Sequence, residues 1–151
     1  RQISVKSIKR FLMVEIMWRF VGRILTKFYG YFPAKTYKYG SDNESKRTYL
    51  ESDRLVLQKH WNDIDGFDYH GFFKQGISIP ILSLTGAKDD VLGHPTDCRV
   101  LLKESNANNF VFKVVGKSNG NLHNYDHINL LTHRDASKDH FRNVLEFLEQ
   151  K

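Results

Sequence analysis

The sequence predicts an α/β fold, and three observations carry that prediction. Ile77-Ser78-Ile79-Pro80-Ile81-Leu82-Ser83-Leu84-Thr85 is a nearly continuous apolar and β-branched run closed by Gly76 and Gly86, the pattern of a strand covered on both faces in a parallel sheet. Phe110 to Val115 is a second, shorter run of the same kind. Helical patterns follow each of them, the last with Phe141, Val144, Leu145 and Leu148 at i, i+3, i+4 and i+7, which gives one apolar face. Strand, helix, strand, helix in that order is a βαβα unit.

The elements ahead of that unit are helical. Phe11 to Phe28 is rich in large apolar residues, but Glu15, Arg19, Arg23 and Lys27 interrupt it at four-residue steps. On a helix these charges share one face, so the segment reads as an amphipathic helix that docks on its own protein. A membrane span needs about 20 mostly apolar residues in a row, and a secretory signal needs an uncharged run where Arg19 and Arg23 stand. Lys6, Lys9 and Arg10 leave an anionic membrane surface as the alternative docking partner. Tyr29-Gly30-Tyr31-Phe32-Pro33 reads as an aromatic turn and Pro33 to Asn43 as a loop. A second helix is expected from about Lys46 to Trp61, with Leu50, Leu55, Leu57 and Trp61 among its apolar positions, followed by an irregular aromatic stretch from Asp63 to Gly76.

In the second half, Pro80 belongs near a strand start because it has no N–H for a ladder. Pro95 to Lys103 suits a helix with proline in its first turn. Gly116 to Leu131 reads as a loop, and Asp135 to Gln150 as a helix that Asp135 or Ser137 can cap. The expected organisation is a helical region, 1–75, and an α/β region, 76–151. Two strands are too few for an independently stable sheet, so the sheet is expected to be incomplete.

Composition narrows the class of function. The 151 residues are 40% hydrophobic and 26% charged, ordinary globular usage that excludes a disordered tail or a membrane bundle. One cysteine, Cys98, excludes a disulfide framework and agrees with a reducing compartment such as the cytoplasm. The formal charge is +6, but the basic residues are dispersed among acidic ones and form no nucleic-acid motif.

Two motifs carry chemistry. Pro80-Ile81-Leu82-Ser83-Leu84-Thr85-Gly86-Ala87-Lys88-Asp89-Asp90-Val91 ends a strand in a Gly-x-x-Asp turn. Tyr125-Asp126-His127-Ile128-Asn129-Leu130-Leu131-Thr132-His133-Arg134-Asp135-Ala136 places a histidine before an apolar stretch and a helix start. Together they resemble the late strand and the histidine loop of α/β-hydrolase-fold serine hydrolases, over residues 76 to 150. The resemblance implies that Asp89 is the triad acid, with Asp90 as the second candidate, and that His127 is the triad histidine. The first-half helices, with Gly30-Tyr31-Phe32-Pro33 and the segment ending at Trp61, are similar to the cap of a group of bacterial α/β hydrolases. A carboxylate bonded to one imidazole nitrogen fixes the tautomer and leaves the other nitrogen as a base. An aspartate at the carboxyl end of a parallel strand is well placed to supply that bond.

In this fold the nucleophile precedes the acid, in a Gly-x-Ser-x-Gly elbow between strand and helix. No such elbow lies upstream of Asp89. The one literal match, Gly116-Lys117-Ser118-Asn119-Gly120, is followed by sequence of poor helix propensity, so Ser118 reads as a loop residue. With Arg1 as first residue, few strands and no elbow, the expectation is the C-terminal part of a longer hydrolase, inactive alone and completed by a missing N-terminal half of the core. Its substrate would be a small ester, thioester or amide, attacked through an acyl-serine without a cofactor. The alternative is a non-catalytic interaction module on a degenerate hydrolase scaffold.

His123 and His127 stand four apart and His133 six further on. The intervening sequence is loop-like, and no carboxylate or cysteine at the usual zinc spacing completes a set, so no metal site is expected. His60, His70, His94 and His140 carry no motif and read as surface or helix-end residues.

Overall fold

The computed structural model describes residues 6–58 and 60–150, without the side chain of Leu57, so that predicted helix position lies outside the described residues. The chain divides into two compact units that meet in sequence at Gly71 and Phe72.

The first unit is helical. α1 (Ile8–Arg10) leads into a π-helical stretch, Phe11–Val21, and on into α2 (Gly22–Tyr29). The expected helix is present, with a wider winding in its middle: the Gly22 N–H donates five residues back to Met17 O. The ion pairs run through the charged stripe, whereas Phe11, Leu12, Phe20 and Phe28 of the expected docking face are exposed. Glu15 pairs with Arg19, and Arg19 and Arg23 reach Asp53 at 3.3 and 2.5 Å. No described helix is long and apolar enough to cross a membrane.

The segment read as turn and loop forms a short antiparallel ribbon, β1 (Tyr31–Phe32) with β2 (Glu44–Ser45). Ser45 then caps α3 (Lys46–Leu57), its hydroxyl accepting from Thr48 N at 3.1 Å. α3 stops at Leu57, short of the expected end at Trp61. Trp61 instead stacks on the His70 ring, centroids 5.3 Å apart. A short helix, α4 (Tyr69–Lys74), forms where irregular chain was expected. The unit's core is Phe32, Ala34 and Tyr49, with Trp18 and Tyr39 packed against it. Tyr49 donates its hydroxyl to Trp18 O at 2.5 Å. Burial pushes its phenol pKa up to about 12.

The second unit carries the parallel sheet. β3 (Ile81–Gly86) pairs with β4 (Phe110–Val115), Ile81 opposite Phe110 and Gly86 opposite Val115. α5 (Pro95–Glu104) makes the crossover that a parallel pair requires. The strand begins at Ile81 and not Ile77, because the ladder starts with the first N–H after Pro80: Ile81 N donates to Asn109 O at 3.0 Å. Ile81 to Leu84 are half-buried, not covered on both faces as expected, and only Thr85 and Gly86 are buried. Each strand has one strand neighbour among the described residues. The unit mixes helix and strand around this small parallel sheet, which is compatible with the α/β class.

The expected loop, Gly116 to Leu131, contains a 3-10 turn, Lys117–Asn119, and the start of α6 (Asn129–Thr132). The last helix begins later than expected. Ala136–Lys138 is a 3-10 turn, α7 spans Phe141–Glu149, and His140 stands at its N-cap, so neither Asp135 nor Ser137 caps it. An open apolar groove of about 380 Å³ lies along β3 and α7, lined by Leu82, Leu84, Leu130, Phe141, Val144 and Leu148 among others.

Candidate active site

Three hydrogen bonds set the acid. After β3 the chain turns, with Asp89 N donating to Gly86 O at 3.0 Å. One carboxylate oxygen of Asp89, Oδ1, accepts from Leu92 N at 3.1 Å. The other, Oδ2, lies 2.8 Å from His127 Nδ1. Asp89 is 5% exposed and the His127 side chain 51%. Nε2 of His127 has no hydrogen-bond partner among the described residues. A buried carboxylate holding Nδ1–H leaves Nε2 as the basic nitrogen, on a ring that solvent reaches.

The histidine is held from both sides. Lys88 N donates to Tyr125 O at 2.8 Å, which ties the acid turn to the histidine loop two residues before His127. On the other side, Asp126 accepts from Ile128 N and Asn129 N at 3.0 and 2.8 Å, an Asx-type turn that starts α6. The Asn129 N–H is the main reason the Asp126 carboxyl lies below its usual range, with the Ile128 N–H and the Asn129 side chain outweighing burial. The Asp126 carboxylate is thus taken up by the turn ahead of α6.

Two glycines allow the close approach. A Cβ on Gly86 would collide with the Tyr125 carbonyl. A Cβ on Gly93 would sit 2.7 Å from Asp89 Oδ2 and 3.6 Å from His127 Nδ1. The Thr85 hydroxyl holds Gly93 by donating to its carbonyl. Thr85 and Gly93 are site residues that sequence reasoning missed, since Gly93 carries no motif beyond being a glycine four residues after the acid. The exposed residue Asp90 does not take Asp89's place at His127 Nδ1.

The structure separates the histidines that the sequence put side by side. His127 goes to Asp89, whereas His123 Nε2 lies 2.9 Å from Asp135 Oδ2, with His133 Nδ1 3.8 Å from the same oxygen. The carboxylate that the spacing did not reveal is therefore Asp135. His70 and His140 are buried, 6% and 0% exposed. His140 is a helix-end residue that also donates Nε2–H to Leu130 O at 2.6 Å.

Ser118 sits on the exposed 3-10 turn after β4, ended by Gly120 in the left-handed region at φ 87°. No helix follows until Asn129, so the strand–turn–helix geometry of a nucleophile elbow is not built around it. No protein-family model, curated protein or solved structure matches the chain.

Proposed function

We propose that Asp89 and His127 are the acid and the base of a serine hydrolase of the α/β-hydrolase type, acting on ester, thioester or amide bonds. The single observation behind this reading is the 2.8 Å contact between a buried carboxylate and a half-exposed imidazole. Asp89 holds the Nδ1–H tautomer and stabilises the imidazolium. Nε2 of His127 takes the proton of the attacking hydroxyl and returns it to the leaving group. Acyl transfer of this kind needs no cofactor.

The nucleophile comes from polypeptide outside these 151 residues. Ser118 lacks the elbow, and β3 and β4 each have an edge with no strand neighbour among the described residues, where further strands can add. The apolar groove along β3 and α7 gives the added chain something to cover. That same groove favours a second reading, an interaction module whose acid and histidine no longer turn over substrate.

One experiment separates the readings. The tagged chain is expressed in the organism that encodes it, purified with whatever it holds, and treated with a fluorophosphonate. The hydrolase reading expects this chain to stay unlabelled while a co-purifying polypeptide is labelled, with labelling lost in His127→Ala. A label on Ser118 removes the outside nucleophile. An absence of any His127-dependent label removes the hydrolase reading and leaves the interaction module.

A further inference from the structure

His123, His133 and Asp135 stand apart from the Asp89–His127 pair and are not used by it. Each offers one ligand atom, and the three atoms lie within 4.8 Å of one another. Asp135 Oδ2 is 2.9 Å from His123 Nε2 and 3.8 Å from His133 Nδ1. An ion with bonds of about 2.0–2.2 Å to nitrogen and oxygen spaces its tetrahedral ligands roughly 3.3 Å apart. The two observed separations bracket that value, so small side-chain rotations suffice to close the shell.

The two imidazole rings pack with centroids 4.3 Å apart and share the Asp135 carboxylate. The Asp135 N–H donates to His133 Nδ1 at 3.2 Å, so this nitrogen is an unprotonated acceptor, and an ion bound there takes over its lone pair from that N–H.

The scaffold is organised before any ion arrives. His133 and Asp135 share a tight turn closed by Ala136 N donating to His133 O at 2.9 Å. The loop bearing His123 is fastened to the same region by Asp139, which accepts from Asn121 Nδ2 at 2.8 Å, Leu122 N at 2.9 Å and the Tyr125 hydroxyl at 2.8 Å. The cluster is half-buried, with His123 40%, His133 28% and Asp135 25% exposed, which leaves a path for entry and partial shielding from water.

We infer that His123, His133 and Asp135 form a binding site for a divalent late first-row transition ion of the zinc class, with one coordination position left open. Two imidazoles and one carboxylate suit such ions and not magnesium or calcium, which take oxygen shells. The bound ion ties the loop before His127 to the turn after α6.

The test titrates the full chain with Zn²⁺ against a chromophoric chelator and repeats the titration with Co²⁺, read by its visible absorption. One equivalent is expected to bind. His133→Ala and Asp135→Asn should each weaken binding about tenfold or more, in keeping with the loss of a direct ligand. His127→Ala should leave the affinity within about twofold, since its ring belongs to the other pair. In the unsubstituted chain, ¹⁵N spectra should show the His123 and His133 ring nitrogens shifting on Zn²⁺ addition while those of His127 stay in place, so the test does not depend on a variant folding. Sub-stoichiometric binding, affinity unchanged in the His123→Ala/Asp135→Asn double variant, or shifts confined to His127 would each overturn the site.

Discussion

Asp53 in the helical unit and Asp89 in the α/β unit are buried to nearly the same depth, 2% and 5% exposed, and both hold cationic or ionisable partners. Asp53 engages two guanidinium groups that cannot lose their protons, and every part of that contact serves to hold α3 against the first helix. Asp89 holds one nitrogen of a ring whose other nitrogen has no partner among the described residues and whose side chain is half-exposed. A buried carboxylate by itself says little about function. What separates the strut from the proposed catalytic acid is whether its partner retains a reactive atom that solvent can reach.

The difference predicts opposite sensitivities. In the proposed hydrolase assembly, Asp89→Asn should lower the fluorophosphonate labelling rate by about 10⁴-fold, because the amide no longer dictates the tautomer. His127→Ala should lower it at least as much. Both should leave the helical content of the purified chain unchanged by circular dichroism. A rate within tenfold of the unsubstituted chain would make Asp89 a strut like Asp53.

Stability should run the other way. Asp53→Ala leaves Arg19 and Arg23 without their shared partner, and breaking a buried pair from one side costs about 3–5 kcal/mol, with the half-exposed Arg23 placing this case at the lower end. Asp89→Ala removes one backbone acceptor and a contact to a half-exposed ring, worth about 1–2 kcal/mol. Urea unfolding of the two variants measures the gap. Equal losses would erase the distinction drawn between the two carboxylates.

Acid should loosen the histidine loop. Burial raises the Asp139 carboxyl, but hydrogen bonds from Asn121, Tyr125 and Leu122 outweigh it and hold it below its usual 3.8. Asp126 and Asp135 are also lowered, by the Asn129 N–H and by His123 respectively. A group whose folded value is depressed contributes stability that is present above its unfolded value and lost as pH falls through the folded one. Amide exchange in residues 121–136 should therefore accelerate as pH drops from about 5 toward 2, after correction for intrinsic rates. The effect should shrink in Asp139→Asn, which keeps one acceptor but no titrating charge.

These contrasts also show which features the sequence exposes. β4 was legible in full because Phe110 to Val115 is a short aromatic and β-branched run broken by Lys113 alone. Asp89 and His127 stood out in the sequence because strand-end and loop motifs are local, and the structure places them 2.8 Å apart. The structure's finer devices were not. Gly93 matters through an approach to Asp89 Oδ2 across a turn, and Asp135 matters through His123, twelve residues away; neither leaves a periodic trace. The β1–β2 ribbon escaped because Tyr31–Phe32 and Glu44–Ser45 are two residues each, too short for alternation to register. α4 was hidden by Gly71 in its middle, a residue that lowers helix propensity. α3 ends before Trp61 even though the aromatic side chain suits the apolar pattern, since Trp61 is held by the His70 ring instead.

Gly93→Ala offers a smaller and more local test of the same pair. The added Cβ would meet Asp89 Oδ2 at 2.7 Å, so the carboxylate or the turn must shift, at a cost of about 1–2 kcal/mol. A shift of even part of an ångström spoils the Nδ1 contact, and labelling should fall by roughly 10–100-fold while urea unfolding shows a loss no larger than that cost. Equal labelling would show that the turn yields without disturbing the acid.

The smallest expected effect belongs to Ser118→Ala. The side chain is exposed on a 3-10 turn whose fold is fixed by backbone and asparagine contacts: Asn119 N and Asn121 N both donate to Gly116 O, and Asn119 Nδ2 donates to Val114 O at 2.8 Å. None of these bonds uses the serine hydroxyl, so stability should change by less than about 0.5 kcal/mol. Fluorophosphonate labelling and its dependence on His127 should be unchanged as well. The variant is informative because Gly116-Lys117-Ser118-Asn119-Gly120 satisfies the elbow pattern letter by letter while the chain after it runs without a helix to Ile128. A nucleophile needs its hydroxyl pressed to the end of a helix, where backbone N–H groups stabilise the oxyanion, and an exposed turn supplies no such helix.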